Sequence, residues 1–432
     1  MKIGIYTLGC KVNQYETQAM ETALRAAGHE IVAFDGAWDA CIINTCTVTA
    51  VSDRKSRQII RRARRTNPGA VVAVCGCYAQ SDPETAAALG ADIVGGSGDR
   101  MGFLRALEAA ERGVSTDEPM ARRSFEFLPA GSLSGRTRAM LKLEDGCTNF
   151  CSYCIIPHVR GPVRSLPVED AAREARRLAD EGYRELILTG IELSSYGRDL
   201  PGKPDLIDVL EALSAAAPAL RLRLGSLEPR TVTEDFCRRC AALPGLCPHF
   251  HLSLQSGCDD TLRRMNRRYD TARFFLSVTL LRQFFDAPGL TTDVIVGFPG
   301  ESEAEFDATL SFLRRCAFTG GHVFPYSPRP GTPAAAMADQ VPHAVKLERA
   351  HAAAMVVEEL AETARRAMVG RTVPVLFETE EDGCTRGHAP NYMEVIAPGL
   401  LRGQVLPVTV TGVEGDLLIG RAVPGKEAKG IL

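Results

Sequence analysis

Apolar and polar positions divide the chain into three regimes. Over residues 1–112, short apolar runs at 2–8, 31–34, 40–44, 70–74 and 91–94 alternate with stretches of helical period at about 14–27 and 52–65. The first helical stretch stops at Gly28 and the second at Asn67, Pro68 and Gly69, all helix breakers. Strands and helices alternating in this way predict an α/β domain with a parallel, doubly wound sheet. Residues 113–137 are rich in turn formers, have no period, and are expected to be a linker. A second alternation fills 138–367, with strands expected at 139–143, 185–189, 220–224, 250–254, 292–296 and 322–326. The intervening helices fall at about 168–181, 206–216, 234–242, 271–285 and 303–316. Six such units predict a partial (β/α)6 barrel, an open-sided relative of the eight-unit barrel. A long helix at about 344–368 leads away from it. Over 368–432 the pattern changes to short Val/Leu/Thr-rich runs at 372–377, 392–395, 404–410 and 417–422, which predict a small OB-like β-barrel. The closing segment, 424–430, is expected to fray.

At 432 residues the chain exceeds one ordinary core, in keeping with two or three domains. No apolar run approaches the ~18–20 residues of a membrane span, and the opening residues lack the layout of a signal peptide. Fourteen cysteines in such a chain are expected to serve metals, chemistry or packing in a reducing cytoplasm, not a disulfide framework. A net charge of −3 excludes general attraction to polyanions, so any nucleic-acid contact must be local. One stretch qualifies. Arg54, Lys55, Arg57, Arg61, Arg62, Arg64 and Arg65 stand against Asp53 alone, with Ile59, Ile60 and Ala63 on the opposing face. A solvated helix face is the plain reading; its place just after Cys46 makes these residues candidate RNA phosphate contacts. Arg122, Arg123, Arg136 and Arg138 add to the basic charge, whereas residues 368–432 carry six basic and eight acidic groups.

The most specific chemical signal is Cys147, Cys151 and Cys154, spaced C-x₃-C-x₂-C. A structural zinc or a closed cluster takes four ligands. Three thiolates on one loop can hold three irons of a [4Fe-4S] cluster and leave the fourth open; half a zinc site or three buried thiols are the alternatives. Cys10, Cys46 and Cys77 each follow a predicted strand, and in an open α/β sheet ligands gather beyond the carboxyl ends of strands. Topology therefore predicts a second trio, in which Cys75 competes with Cys77. Cys237, Cys240, Cys247 and His249 have zinc-ligand chemistry, but the first pair lies on a predicted helix and packing is the preferred reading. Cys258, Cys316 and Cys384 are read as structural.

The Cys147 triplet, with Tyr153 before its last member, resembles the signature of the radical S-adenosylmethionine (SAM) enzymes, where the open iron chelates SAM. Predicted strand ends then offer candidate SAM contacts: Gly190 and Glu192, Ser253 and Gln255, Asp293, and Arg268 for a carboxylate. Each of these is equally compatible with a structural role. Residues 7–17 (Thr-Leu-Gly-Cys-Lys-Val-Asn-Gln-Tyr-Glu-Thr), 44–49 (Asn-Thr-Cys-Thr-Val-Thr) and 76–80 (Gly-Cys-Tyr-Ala-Gln), taken with the triplet, resemble the methylthiotransferase family of radical SAM enzymes over nearly the whole chain. The resemblance implies an N-terminal cluster domain (1–112), a linker (113–137), a radical SAM domain (138–367) and a TRAM domain (368–432). It implies two [4Fe-4S] clusters, one on Cys147, Cys151 and Cys154 that cleaves SAM, and one on Cys10, Cys46 and Cys77 that carries the sulfur; it favours Cys77 over Cys75. The branch with the most similar flanks adds a methylthio group to C2 of N6-threonylcarbamoyladenosine beside the tRNA anticodon. Isopentenylated adenosine or a ribosomal-protein aspartate are alternative targets, and a zinc-bearing, non-catalytic RNA-binding protein is the alternative of another class. The expected partners are tRNA, an electron donor protein and a sulfur source, in the cytoplasm and with no membrane.

Overall fold

The computed structural model describes residues 1–129 and 136–423. The expected frayed segment at 424–430 and residues 130–135 of the expected linker lie outside the described residues. Six strands, β1 (Lys2–Thr7), β2 (Glu30–Val32), β3 (Ala40–Thr45), β4 (Val71–Gly76), β5 (Ile93–Gly95) and β6 (Gly113–Ser115), form one sheet in the order β2-β1-β3-β4-β5-β6. Every neighbouring pair is parallel. β6 lies within the expected linker, because three residues are too few to show a period. The sheet is apolar on both faces, as a parallel sheet covered on both sides must be. Ile42, Ala73 and Cys75 pack with Met20 and Leu24 of α1 (Lys11–Ala26), while Cys41, Ile43, Val72 and Val74 pack with Ile60 and Ala63 of α2 (Ala50–Thr66). α1 begins earlier than its apolar period suggests, with Cys10 in extended backbone at its N-cap.

The middle of the chain forms two abutting parallel sheets. Arg138–Lys142, Glu185–Thr189 and Arg221–Leu224 make one; Ser226–Leu227, His249–Gln255, Gly289–Val296 and Gly320–Pro325 make the other. The chain changes sheet at Gly225, where a side chain would press on the Leu188 carbonyl. A bridge between Leu222 and Leu246 continues the curve. Helices cover the outside, giving six strand positions of a partial (β/α)6 barrel over one apolar core that includes Leu141, Leu188, Leu222, Leu252, Val294 and Phe318. The helix His343–Arg366 adds Ala353, Val356 and Val357 to that core.

The last strands, Thr372–Glu381, Cys384–His388, Glu394–Pro398, Val405–Glu414 and Leu417–Ala422, close into a five-stranded barrel around Val375, Phe377, Val395, Val408 and Leu418. Cys384–His388 is a strand the sequence pattern did not reveal, since Cys-Thr-Arg-Gly-His carries no apolar alternation. Among the described residues no helix is long and apolar enough to cross a membrane.

Candidate functional site

Three loops at one sheet edge bring Cys10, Cys46 and Cys77 together, after β1, β3 and β4. Gly9 has φ 107°, and a Cβ there would lie 2.9 Å from Cys46 Cβ and 3.1 Å from its Sγ, so the loop before Cys10 is seated directly on Cys46. Gly76, with φ 98°, turns β4 into Cys77; a Cβ there would stand 2.5 Å from the Thr45 carbonyl oxygen. Asn13 ties the loops, its Nδ2 donating to the carbonyls of Leu8 and Thr45, both at 2.9 Å. Burial pushes the Cys77 thiol up to about 12 against the pull of Arg160, and Cys46 and Cys10 push the same way. Cys75, the competing residue, is fully buried in the sheet core beneath α1.

The second trio lies on the loop after the first barrel strand. Gly146, with φ 86°, starts it; a Cβ there would fall 2.1 Å from the Pro162 carbonyl oxygen. Inside the loop Cys154 N–H donates to the Cys151 carbonyl at 2.9 Å and Asn149 N–H to Cys147 Sγ at 3.4 Å. Ser152 anchors it to the carbonyls of Arg264 and Met265. Burial holds the Cys154 thiol at about 12. All fourteen cysteines are free, and the two trios present soft sulfur donors that an iron–sulfur cluster would ionise on binding. The donor chemistry thus fits two clusters with one open corner each.

Of the predicted strand-end residues, Glu192 stands against the loop of the second trio, and Gly190 and Asp293 line one cavity. Gly190 leaves room for Glu144, whose Oε2 would lie 2.9 Å from an added Cβ. Glu144 is fully buried and accepts from Glu192 N–H at 2.7 Å, while its Oε1 has no partner. Burial raises the Glu144 carboxyl well above the ordinary range. Glu192 accepts from Asn149 Nδ2 at 3.2 Å, which sets it beside the cluster loop. Ser253, Gln255 and Asp293 share the half-buried inner face of their strands, alternating with Leu252, Leu254 and Val294 in the core. Gln255 has φ 66° at an irregularity in the strand register, and Asp293 Oδ2 lies 3.3 Å from His251 Nε2 with Oδ1 unpartnered. Tyr153 packs edge-on to Phe298 at 6.5 Å. Arg268 is exposed; its neighbour Arg267 instead donates from Nη1 to Cys151 Sγ at 3.1 Å.

Arg160, Arg267, Glu144 and His251 are the site residues that sequence reading missed. The available signals were a lone arginine closing the apolar run after Cys154 and a charged pair, Glu144 and Asp145, interrupting an apolar strand. The candidate zinc ligands do not converge: Cys237 and Cys240 are in the barrel core, and His249 engages Thr291 and stacks on Tyr392. Of the seven α2 cations, Arg62 pairs with Asp35, and Arg64 pairs with Asp92 and caps the Gly90 carbonyl. Arg57 lies 6.0 Å from the Tyr78 ring. Arg54, Lys55, Arg61 and Arg65 are exposed and make no ion pair among the described residues. A cavity of about 810 Å³ connects the three parts of the molecule, lined by Cys10 and Lys11, by Gly190 and Asp293, and by Tyr392. Arg329, beyond the strand Gly320–Pro325, clamps the loop after Cys46 through Thr47 at 2.6 Å and the first turn of α2 through Asp53 at 2.7 Å.

A partial parallel barrel with a three-cysteine loop after its first strand defines a radical SAM enzyme, and residues 142–313 match the Radical SAM superfamily. Residues 2–96 match the Uncharacterized protein family UPF0004. The chain is 38% identical over 421 residues to the threonylcarbamoyladenosine tRNA methylthiotransferase MtaB of Bacillus subtilis, covering 94% of this chain and 93% of that one. It is 36% identical to the MtaB of Thermotoga maritima, over 87% and 86% of the two chains. It is 33% identical to the tRNA-2-methylthio-N(6)-dimethylallyladenosine synthase of Pelotomaculum thermopropionicum, over 97% of both. The radical SAM methyltransferase TsrM of Kitasatospora setae shares the fold, with TM-score 0.59 at 16% identity over 83% of this chain and 89% of that one. The chain belongs to the methylthiotransferase family of radical SAM enzymes, which work with SAM and two [4Fe-4S] clusters.

Proposed function

We propose that this protein adds a methylthio group to C2 of N6-threonylcarbamoyladenosine in tRNA. Cys147, Cys151 and Cys154 are assigned to the cluster that binds SAM, and Cys10, Cys46 and Cys77 to the auxiliary cluster. The observation that carries the reading is the presence of two separate cysteine trios on loops that follow strand ends, with Cys10 of one trio and Gly190, at the strand end beside the other, lining one cavity. When bound, the clusters and SAM supply one-electron SAM cleavage and the sulfur to be methylated and transferred, chemistry that no side chain can perform on an adenine C–H. The chain's own groups bind and orient. The Gly190 backbone, open on one side, and Glu192 suit the methionine part of SAM; Ser253, Gln255 and Asp293 suit its ribose; Arg267, and not Arg268, stands beside the SAM cluster. Arg54, Lys55, Arg61 and Arg65 are assigned to tRNA phosphates. Residues 1–112, 138–367 and 368–432 are taken as the three domains, supported by their separate cores. An electron donor protein and a sulfur source are the remaining partners, in a cytoplasmic setting.

Two measurements test this. Iron and sulfide should fall by half in a Cys10/Cys46/Cys77→Ala variant and in a Cys147/Cys151/Cys154→Ala variant, each relative to the reconstituted parent. Nucleosides from a strain lacking the gene should lose the methylthiolated threonylcarbamoyladenosine and regain it on complementation. Loss of methylthiolated dimethylallyladenosine in its place, or unchanged nucleosides, would overturn the substrate assignment.

A further inference from the structure

Arg160 is completely buried, stands six residues beyond Cys154, and reaches the other trio. Its Nε donates to Cys77 Sγ at 3.3 Å. Its Nη1 donates to Glu16 at 2.9 Å and to Asp145 at 3.0 Å, and its Nη2 donates to Asn13 Oδ1 at 2.8 Å. Asn13 Oδ1 lies in turn 3.8 Å from Cys10 Sγ. The guanidinium is therefore fixed on every edge, and two of its hydrogen bonds lead to the Cys10/Cys46/Cys77 trio.

The charge around it is unbalanced. Arg100 and Lys142 also pair with Glu16, and Lys142 and Arg164 with Asp145. All six side chains are buried, and a third, half-buried carboxylate, Glu126, accepts from the Arg100 backbone N–H at 2.6 Å, so four cations still outnumber the carboxylates around them. Glu144, the next carboxyl along the chain, is turned to the Glu192 N–H and makes no ion pair with these cations; burial holds its carboxyl well above the ordinary range, so it adds little negative charge. A buried excess of positive charge is costly unless an anion completes it. The adjacent group able to supply that anion is the cysteine trio itself. Three thiolates holding a cluster are net negative when oxidised and more so when reduced.

We infer that Arg160 and the buried cations behind it are built to complete and tune the auxiliary cluster: Arg160 is a positioning residue that acts through Cys77 Sγ, holding the cluster's reduction potential up and fixing it to the segment that carries the SAM-binding trio. A donor to a ligating sulfur and nearby positive charge both favour the reduced form of an iron–sulfur cluster. Arg160 ends the short helix Ile156–Arg160 that follows the Cys147 trio, so one continuous segment carries that trio and reaches Cys77. The inference rests on the assignment of Cys77 as a ligand. Retention of a full auxiliary cluster by Cys77→Ala would sink that assignment separately from the role of Arg160.

The test uses the full-length protein, reconstituted anaerobically in the Cys147/Cys151/Cys154→Ala background so that only the auxiliary cluster gives a signal. With ¹⁵N-arginine incorporated, pulsed EPR of the reduced cluster should show nitrogen coupling, and Arg160→Gln should abolish it. Redox titration should place the midpoint of Arg160→Gln below that of the parent, with Arg160→Lys, which keeps the charge and loses the Nε donor, between the two. Absence of nitrogen coupling in the parent overturns the inference. So does an Arg160→Gln protein with full iron and an unchanged midpoint. Should Arg160→Gln take up no iron, the parent's nitrogen coupling and the midpoint of Arg160→Lys decide, and a parent-like midpoint in Arg160→Lys overturns it.

Discussion

Arg267 Nη1 lies 3.1 Å from Cys151 Sγ, while its Nε donates to Tyr269 Oη at 3.0 Å. Each cysteine trio thus has one sulfur bonded to an arginine from outside its own loop: Cys151 to Arg267 and Cys77 to Arg160. Charge-assisted hydrogen bonds to a ligating sulfur are the tuning contacts of such sites. Replacing Arg267 by Gln should lower 5′-deoxyadenosine formation roughly tenfold, about 1.4 kcal/mol in the barrier, while iron content holds. Arg268→Gln, at an exposed position, should leave both unchanged. HPLC of SAM cleavage products with parallel iron assays separates the two.

Acid sensitivity should trace to Glu185. Burial opposes its ionisation, but Arg223, Arg221 and Arg138 prevail and hold the carboxyl at about 2, below its ordinary 4.5. A carboxyl depressed in the folded state stabilises above the unfolded value, and that contribution is lost as pH falls from 4.5 toward 2. For a fully buried group the shift corresponds to about 3 kcal/mol. Arg223 also donates to the carbonyls of Pro390 at 2.8 Å and Ala389 at 3.3 Å, so the same network docks the C-terminal barrel. Denaturant titrations should show Glu185→Gln less stable at neutral pH and flatter in its pH dependence between about 2 and 4.5.

The α2 cations should separate into two classes. Single Arg54→Ala, Lys55→Ala, Arg61→Ala or Arg65→Ala changes should weaken tRNA binding at low salt. Each should also reduce the slope of log K against log salt by about 1 for every phosphate that is no longer neutralised. Arg64→Ala should act on stability, because Arg64 caps the Gly90, Pro68 and Ala70 carbonyls and pairs with Asp92. Filter binding across a salt series, with thermal melts alongside, distinguishes these outcomes.

Gly76→Ala should remove the auxiliary iron without touching a cysteine. The position has φ 98°, and its added Cβ meets backbone of Thr45 at 2.5 Å, which cannot swing away as a side chain can. A cost of about 2 kcal/mol or more is expected from the backbone conformation and the displaced strand. Iron analysis should show the Cys147 trio still loaded.

The apolar period located most strands and the long covering helices of the first two regimes, because a parallel sheet buried on both faces needs unbroken apolar runs and its covering helices need a stripe; it missed shorter helices such as Arg100–Glu108 and Asp259–Arg264. It was not enough for Gly113–Ser115 or Cys384–His388. The first is too short to show a period, and the second is held by pairing with Thr372–Glu381 and Glu394–Pro398 and not by its own composition. The local trio was legible from spacing, and the scattered trio from the rule that strand ends converge.

What the chain order could establish by itself is therefore local: which segments are strands, which cysteines end them, and which loop carries three thiols. Whether Arg267 or Arg268 reaches a sulfur, whether Arg64 meets solvent or a carbonyl, and that Arg160 crosses to Cys77 were decided only in three dimensions. A hydrogen bond between groups 83 residues apart depends on the packing of whole domains, and no period along the sequence encodes it.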